Sequence, residues 1–324
     1  MTFGDNRLLP QLFGEQNSHL SDIEKAFDVT IHGRGNHLTI SGNSADTQRA
    51  KDLLSILWNK LQDGQHVDDQ IVDAALRFSL ADRDSKVMSN TPQSNMKDFA
   101  AVKSQITLRK KSIAPRSPMQ AQYIDMMQTK EAVFGIGPAG TGKTYLAVAQ
   151  AVALFEQEKI ERIILSRPAV EAGERLGFLP GDLKEKVDPY LRPLYDALYD
   201  TMGAEKAEKR ILAKDIEIAP LAFMRGRTLS NAFVILDEAQ NTTSMQMKMF
   251  LTRLGEGSRM VITGDPSQID LPKGETSGLM EAVSILSGVD AVGVIHFGSK
   301  DIVRSSIVQK IVNAYDARDG KNKS

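Results

Sequence analysis

The chain has 324 residues, a formal net charge of −1, 41% apolar and 25% charged residues, the balance of a folded globular protein with room for two or three domains. It has no cysteine, which excludes disulfides, thiolate metal sites and thiol nucleophiles and makes a reducing cytoplasm the expected compartment. No run approaches the roughly 18 apolar residues of a membrane span, and Met1–Arg7 lacks the basic-then-apolar pattern of a secretion signal.

Residues 1–85 read as a small α+β module. Leu20, Ile23 and Phe27 share a helical face. Val29 and Ile31, then Leu38 and Ile40, alternate about Gly33-Arg34-Gly35-Asn36 and predict a β-hairpin. Ala50, Leu53, Leu54, Leu57 and Leu61 predict an amphipathic helix, and Ile71, Val72, Ala75, Leu76 and Leu80 another. This module is acidic, with 8 Lys/Arg against 13 Asp/Glu. Residues 86–116 lack periodicity and read as a basic linker, with 7 Lys/Arg and Asp98 as the single acid, and with a short strand near Gln105–Leu108. From residue 117 strands and helices alternate. Strands are predicted at 132–136, 162–166, 233–236, 260–263 and 292–297, so a parallel sheet covered by helices is expected over 117–318. Ligands of such a sheet bind at the carboxyl ends of its strands.

The chemistry begins at Gly137-Pro138-Ala139-Gly140-Thr141-Gly142-Lys143-Thr144, a complete phosphate-binding loop placed between a buried strand and a helix. The glycines let backbone N–H groups turn inward around a phosphate. Lys143 adds a charge at the β/γ-phosphates, and Thr144 offers a hydroxyl to Mg²⁺. Asp237-Glu238 follows the apolar run Phe233–Leu236. Asp237 is placed to hold the metal and Glu238 to deprotonate the attacking water. Thr263-Gly264-Asp265-Pro266-Ser267-Gln268 closes the next strand, with Gln268 as candidate sensor of the γ-phosphate; the same residues suit a type I turn. ATP and Mg²⁺ are the expected ligands. The five histidines are scattered, so no further metal site is expected. Met245, Met247, Met249 and Phe250 of helix 244–251 read as core packing. Tyr190, Tyr195 and Tyr199, near Lys184, Lys186 and Arg192, suit stacking on a single strand and equally a buried helical hairpin with solvated lysines.

The ordered set of phosphate loop, Asp-Glu-Ala-Gln and Gly-Asp-Pro-Ser-Gln resembles superfamily-1 helicase motifs, and more narrowly the PhoH family. Arg167-Pro168 with Glu171–Glu174, Leu176–Lys186, Pro189–Leu194, Arg225–Thr228 and Asp301–Arg304 add to the resemblance, which covers about 115–315. It implies a RecA-like P-loop ATPase that couples hydrolysis to RNA, acting as a helicase-like remodeller of single-stranded RNA. The rival reading is an ATP-driven switch that controls a partner endoribonuclease or ribosome-associated factor without unwinding. Residues 1–85 resemble the KH-like domain of stand-alone PhoH proteins, although Gly14-Glu15-Gln16-Asn17 lacks the second glycine of a KH loop. Ser305-Ser306 stands where the family often carries His-Pro. Nothing in the chain resembles the PIN nuclease to which some relatives are fused. Gln120 matches the glutamine that reads adenine in helicases. After Gln268 only 56 residues remain, short of the about 100–150 of a second RecA-like domain. A neighbouring subunit is therefore expected to complete the site in a head-to-tail homo-oligomeric ring, hexameric by resemblance, with Arg304 as the arginine finger and Arg225 and Arg227 behind it.

Overall fold

A computed structural model of the chain describes residues 1–85, 105–109, 111–168, 183–272, 274–303, 308 and 311, and the side chains of 82–85 and 183–189 lie outside that description. The chain divides into two compact units, Met1–Gln105 with Ala114–Ala121, and Ile106–Ile113 with Gln122–Ser324.

The first unit contains helices α1 (Leu9–Phe13) and α2 (Ser18–Phe27), a hairpin of β1 (Thr30–Arg34) and β2 (His37–Ser41), and helices α3 (Ser44–Gln62) and α4 (Asp69–Ser85). The hairpin pairs Ile31 with Ile40, in the register that the alternation of apolar residues predicts. Asn43 starts α3 by accepting the amide of Ala45 on its side chain. Leu12, Ile23, Leu53, Leu54 and Leu57 are fully buried and knit α1, α2 and α3 into one core. Between α1 and α2 the backbone is left-handed at Gly14, Gln16 and Asn17.

The second unit opens with a ribbon, β3 (Ile106–Thr107) and β4 (Ser112–Ile113), drawn from the segment expected to be linker. Ile106 and Leu108 are buried, which explains why these few residues fold onto the unit. Helix α5 (Pro118–Thr129), whose residues up to Ala121 count with the first unit, leads to β5 (Ala132–Ile136), β6 (Arg162–Arg167), β7 (Ile216–Pro220), β8 (Ala232–Leu236), β9 (Arg259–Gly264) and β10 (Val292–His296). These six strands form one sheet in the order β10-β5-β9-β8-β6-β7, and every neighbouring pair is parallel. Helices α6 (Lys143–Glu156), α7 (Leu183–Met202), α8 (Ala204–Leu212), α9 (Ser244–Leu251) and α10 (Gly278–Leu286) accompany it. Strands β5 and β8 are buried at every residue, as expected of a sheet covered on both faces.

Two expectations are corrected. The sheet has a sixth strand, β7, at its edge, where Glu217 interrupts the apolar alternation and Pro220 ends the ladder. Glu217 is tolerated because both its oxygens accept from Arg227, each at 2.7 Å. In α9, Met247 and Phe250 are buried but Met245 is 83% exposed. At two residues from Met247 it lies on the far side of the helix.

Candidate functional site

The carboxyl end of the sheet gathers the motif residues. Fully buried β5 delivers the chain into the phosphate loop, where Gly137, Gly140 and Gly142 all have positive φ. A Cβ on Gly137 would run into the carbonyl oxygen of Phe297, so this position admits glycine on two grounds. The Gly137 amide donates to the carbonyl of Gly264 at 3.1 Å, which ties the loop to the end of β9. Thr141 donates to the Pro138 carbonyl at 2.9 Å and closes the loop on itself. Pro138, Ala139 and Gly140 form its crest, and the Gly140 carbonyl accepts from the Val303 amide at 2.8 Å. Gly142 caps α6, which begins at Lys143 and presents its unpaired amide ends to the loop.

Lys143 is 8% exposed and its Nζ donates to the carbonyls of Gly137 (2.7 Å) and Pro138 (2.8 Å). The ammonium sits inside the loop where a phosphate would lie. Burial pulls its pKa below the ordinary lysine value, while the charges of Asp265, Asp237 and Glu238 pull it back up. Thr144 Oγ1 donates to Asp237 Oδ1 at 2.6 Å, and Thr263 Oγ1 donates to the same oxygen at 2.6 Å. Asp237 is itself 5% exposed and its amide extends the ladder to the Ser166 carbonyl. A buried carboxylate oxygen and the loop hydroxyl thus already touch. They are the hard oxygen donors that Mg²⁺ takes, and the inward amides and Lys143 suit a triphosphate, so the residues present fit a magnesium nucleotide.

Glu238 follows Asp237 in a left-handed backbone conformation (φ 53°, ψ 39°). Its Oε2 accepts from Gln240 Nε2 at 2.6 Å, and its Oε1 lies 3.4 Å from a guanidinium nitrogen of Arg167. Gln240 is 1% exposed and does more than hold Glu238. Its Nε2 also donates to the Gln268 carbonyl (3.1 Å), and its Oε1 accepts from the Asp265 amide (3.0 Å). The turn 265–268 is closed by the Gln268 amide on the Asp265 carbonyl, and Gln268 Nε2 donates to Asp265 Oδ2 at 2.6 Å. So the turn expected at these residues is present, and Gln268 is exposed at its end. Burial would raise the Asp265 pKa, but hydrogen bonds from Ser267 and Gln268 and the charge of Lys143 hold it below the ordinary carboxylate value.

The structure brings Gly137–Thr144, Asp237, Glu238 and Gln268 together at the end of one sheet. Gln120 belongs to the first unit and acts there at a helix start. It is buried, its Oε1 accepts from the Arg116 amide at 2.6 Å, and its own amide donates to Ser117 Oγ at 3.2 Å. That is the Ser-x-x-Gln pattern of a helix N-terminus, which the sequence carried in plain view. Arg304, Glu171–Asp182 and Ser305-Ser306 lie outside the described residues, as do Lys103, Lys110 and the side chains of Lys184 and Lys186. Of the other candidate fingers, Arg227 is engaged by Glu217 and Arg225 is exposed. Tyr195 and Tyr199 are half-buried with ring centroids 6.1 Å apart. Arg167, Gln240 and Thr263 are site residues to which sequence reasoning gave no role. The available signals were a polar residue ending the apolar run of β9 and the fourth residue of Asp-Glu-Ala-Gln.

Comparison with known proteins shows the family. The family described as PhoH-like protein matches residues 112–316. A PhoH-like protein of Bacillus subtilis (strain 168) is 49% identical over 308 residues, 95% of this chain and 94% of its own length. One of Mycobacterium tuberculosis (strain ATCC 25618 / H37Rv) is 48% identical over 308 residues, covering 95% and 85% of the two chains. One of Synechocystis sp. (strain ATCC 27184 / PCC 6803 / Kazusa) is 54% identical over 210 residues, 65% of this chain and 64% of its own.

Proposed function

The chain belongs to the PhoH family, and from that premise we propose that it is a Mg²⁺-dependent RNA-coupled ATPase whose chemistry is carried by Lys143, Thr144, Asp237 and Glu238. ATP binding and hydrolysis are the activity of this family and of this chain. The observation that carries the assignment of residues is the 2.6 Å contact of Thr144 Oγ1 with Asp237 Oδ1 beside the buried Lys143. Lys143 and the loop amides bind and orient the phosphates. Thr144 and Asp237 would hold Mg²⁺, which neutralises charge on the phosphoryl oxygens when bound. Glu238 takes the proton of the attacking water, and Gln268 reports the presence of the γ-phosphate through the turn it shares with Asp265.

Four finer readings go with it. The strand order, with β9 between the loop strand β5 and the acid strand β8, supports the RecA-like label for the second unit. Two helices, a hairpin and a third helix, in that order and followed by α4, support the KH-like label for residues 1–85. Single-stranded RNA is the substrate strand, and a homo-oligomeric ring supplies the second side of the site with Arg304 as its finger.

Two variants test the core of the reading. Lys143→Ala weakens ATP binding by removing a charge-assisted contact. Glu238→Gln keeps ATP binding but hydrolyses poorly, because an amide does not accept the water's proton. Equal turnover by Glu238→Gln and the native chain removes Glu238 from its role as base.

A further inference from the structure

We propose that Arg167 is the positioning residue of Glu238, fixing the general base between the sheet and helix α7. The inference deepens the reading of Glu238 as base and rests on it. Arg167 is the last residue of β6, and β6 lies beside β8 in the sheet. Ser166 pairs with Leu236, and the Asp237 amide donates to the Ser166 carbonyl at 2.9 Å. The ladder therefore runs past the end of β8, and this register sets Arg167 level with Asp237, one residue before Glu238. One guanidinium nitrogen lies 3.4 Å from Glu238 Oε1, and the other donates to the Tyr190 carbonyl of α7 at 3.0 Å.

Glu238 needs such a hold. Its left-handed backbone costs a non-glycine residue about 1 kcal/mol or more and persists only where the surroundings over-determine it. Its carboxylate is gripped at two points, Oε2 by Gln240 and Oε1 by Arg167. A carboxylate oxygen has two acceptor directions, so Oε1 keeps one for water while the arginine sits on the other side. The guanidinium is a rigid planar fork, and anchoring one arm on a helix carbonyl fixes where the other points. A general base works only within hydrogen-bond reach of the proton it takes, and a shift of about 1 Å can cost about 100-fold in rate. Arg167 touches the base and acts through it.

The test uses the full chain with Arg167→Ala, Arg167→Lys, Glu238→Gln and the double variant Arg167→Ala/Glu238→Gln. Steady-state ATPase, titration with a fluorescent ATP analogue and thermal unfolding are read on each. Arg167→Ala should lower kcat about tenfold at unchanged KM and unchanged analogue affinity, the loss of one of two restraints on the base. Arg167→Lys should recover part of that loss. The double variant should turn over within about twofold of Glu238→Gln, because a residue that acts through another adds nothing once the other is gone. Arg167→Ala at or above native turnover overturns the inference. So does a loss matched by analogue affinity or melting temperature, a lysine no better than alanine, or an additive double variant. If Glu238→Gln itself turns over normally, the base reading fails and this inference falls with it, whereas the other outcomes overturn the inference alone.

Discussion

Gln240 is the residue whose removal should reach both folding and catalysis. Its side chain makes three hydrogen bonds, to Glu238 Oε2, the Gln268 carbonyl and the Asp265 amide. In Gln240→Ala the Asp265 amide, on a residue 6% exposed, loses its partner. An orphaned buried donor costs about 1–3 kcal/mol. Gln268 is exposed, so water replaces the bond to its carbonyl at little cost. A loss of that size lowers the melting temperature of a unit of this length by about 2–12 °C. The bond to Glu238 involves a charged acceptor and is worth about 1.5–3 kcal/mol. If it is realised in the reacting geometry, kcat falls by about 10- to 100-fold. Gln240→Glu keeps an oxygen for the Asp265 amide but sets a second carboxylate against Glu238. It should melt below the native chain and hydrolyse ATP at least as poorly as Gln240→Ala, because a buried carboxylate there faces two acceptors and has no proton to give them. Thermal unfolding and steady-state ATPase assays on both variants decide the matter. Native kcat in either one refutes the reasoning, because then the amide neither positions the base nor links it to the turn.

Three further outcomes are expected. Lys111 donates to Asp200 Oδ2 at 2.5 Å and to Tyr145 at 3.1 Å, and Tyr145 donates to the same carboxylate oxygen, which ties the ribbon to α6 and α7. The Lys111 hydrogen bond, then that of Tyr145, holds the Asp200 pKa low, so this group's contribution is present above the ordinary carboxylate value of about 3.9 and is lost as pH falls below it. Lys111 is raised, since Asp200 and Tyr145 outweigh its burial, so its contribution is present below the ordinary value of about 10.4 and is lost as pH rises through the folded value. Both groups are well exposed, so Asp200→Asn should cost under about 1 kcal/mol near neutral pH. Scans of melting temperature should show that difference vanishing below about pH 3.9 and shrinking in salt, and a pH-independent difference would contradict the ion pair. Replacing Lys103, Arg109, Lys110 and Arg116 by Ser or Gln should weaken single-stranded RNA binding and flatten its salt dependence, with Lys111 left in place because Asp200 neutralises it. An unchanged affinity and slope would move the interface elsewhere. Finally, mixing inactive Arg304→Ala with inactive Lys143→Ala should restore some ATPase if the finger acts across subunits. No recovery, or native activity of Arg304→Ala alone, argues against it.

What could be read from the sequence and what could not divide along a physical line. The phosphate loop was legible because each of its demands is local. Gly137, Gly140 and Gly142 need positive φ, Lys143 must be a cation at a helix start, and the apolar run of β5 must end where the loop begins. Five strands of the sheet were legible for the same reason, since Val-Phe-Gly-Ile and Phe-Val-Ile-Leu have no use except burial on both faces. Strand β7 was not, because Glu217 reads as surface until Arg227, ten residues on, is folded against it. Lys111 read as one charge of a basic linker because its partner Asp200 is distant in the chain. The supports of the active carboxylates failed to show for this same cause. Thr263 reaches Asp237 from β9, Arg167 reaches Glu238 from β6, and Gln240 reaches both Glu238 and the turn at 265–268. Each of these contacts depends on which strand lies beside which, and the order β5-β9-β8-β6 follows from no local spacing. A group that does chemistry must be a particular residue type at a particular local place, so it leaves a motif. A group that holds it there needs only to arrive from a neighbouring strand, so its sequence signal is no more than one polar residue where the run is otherwise apolar.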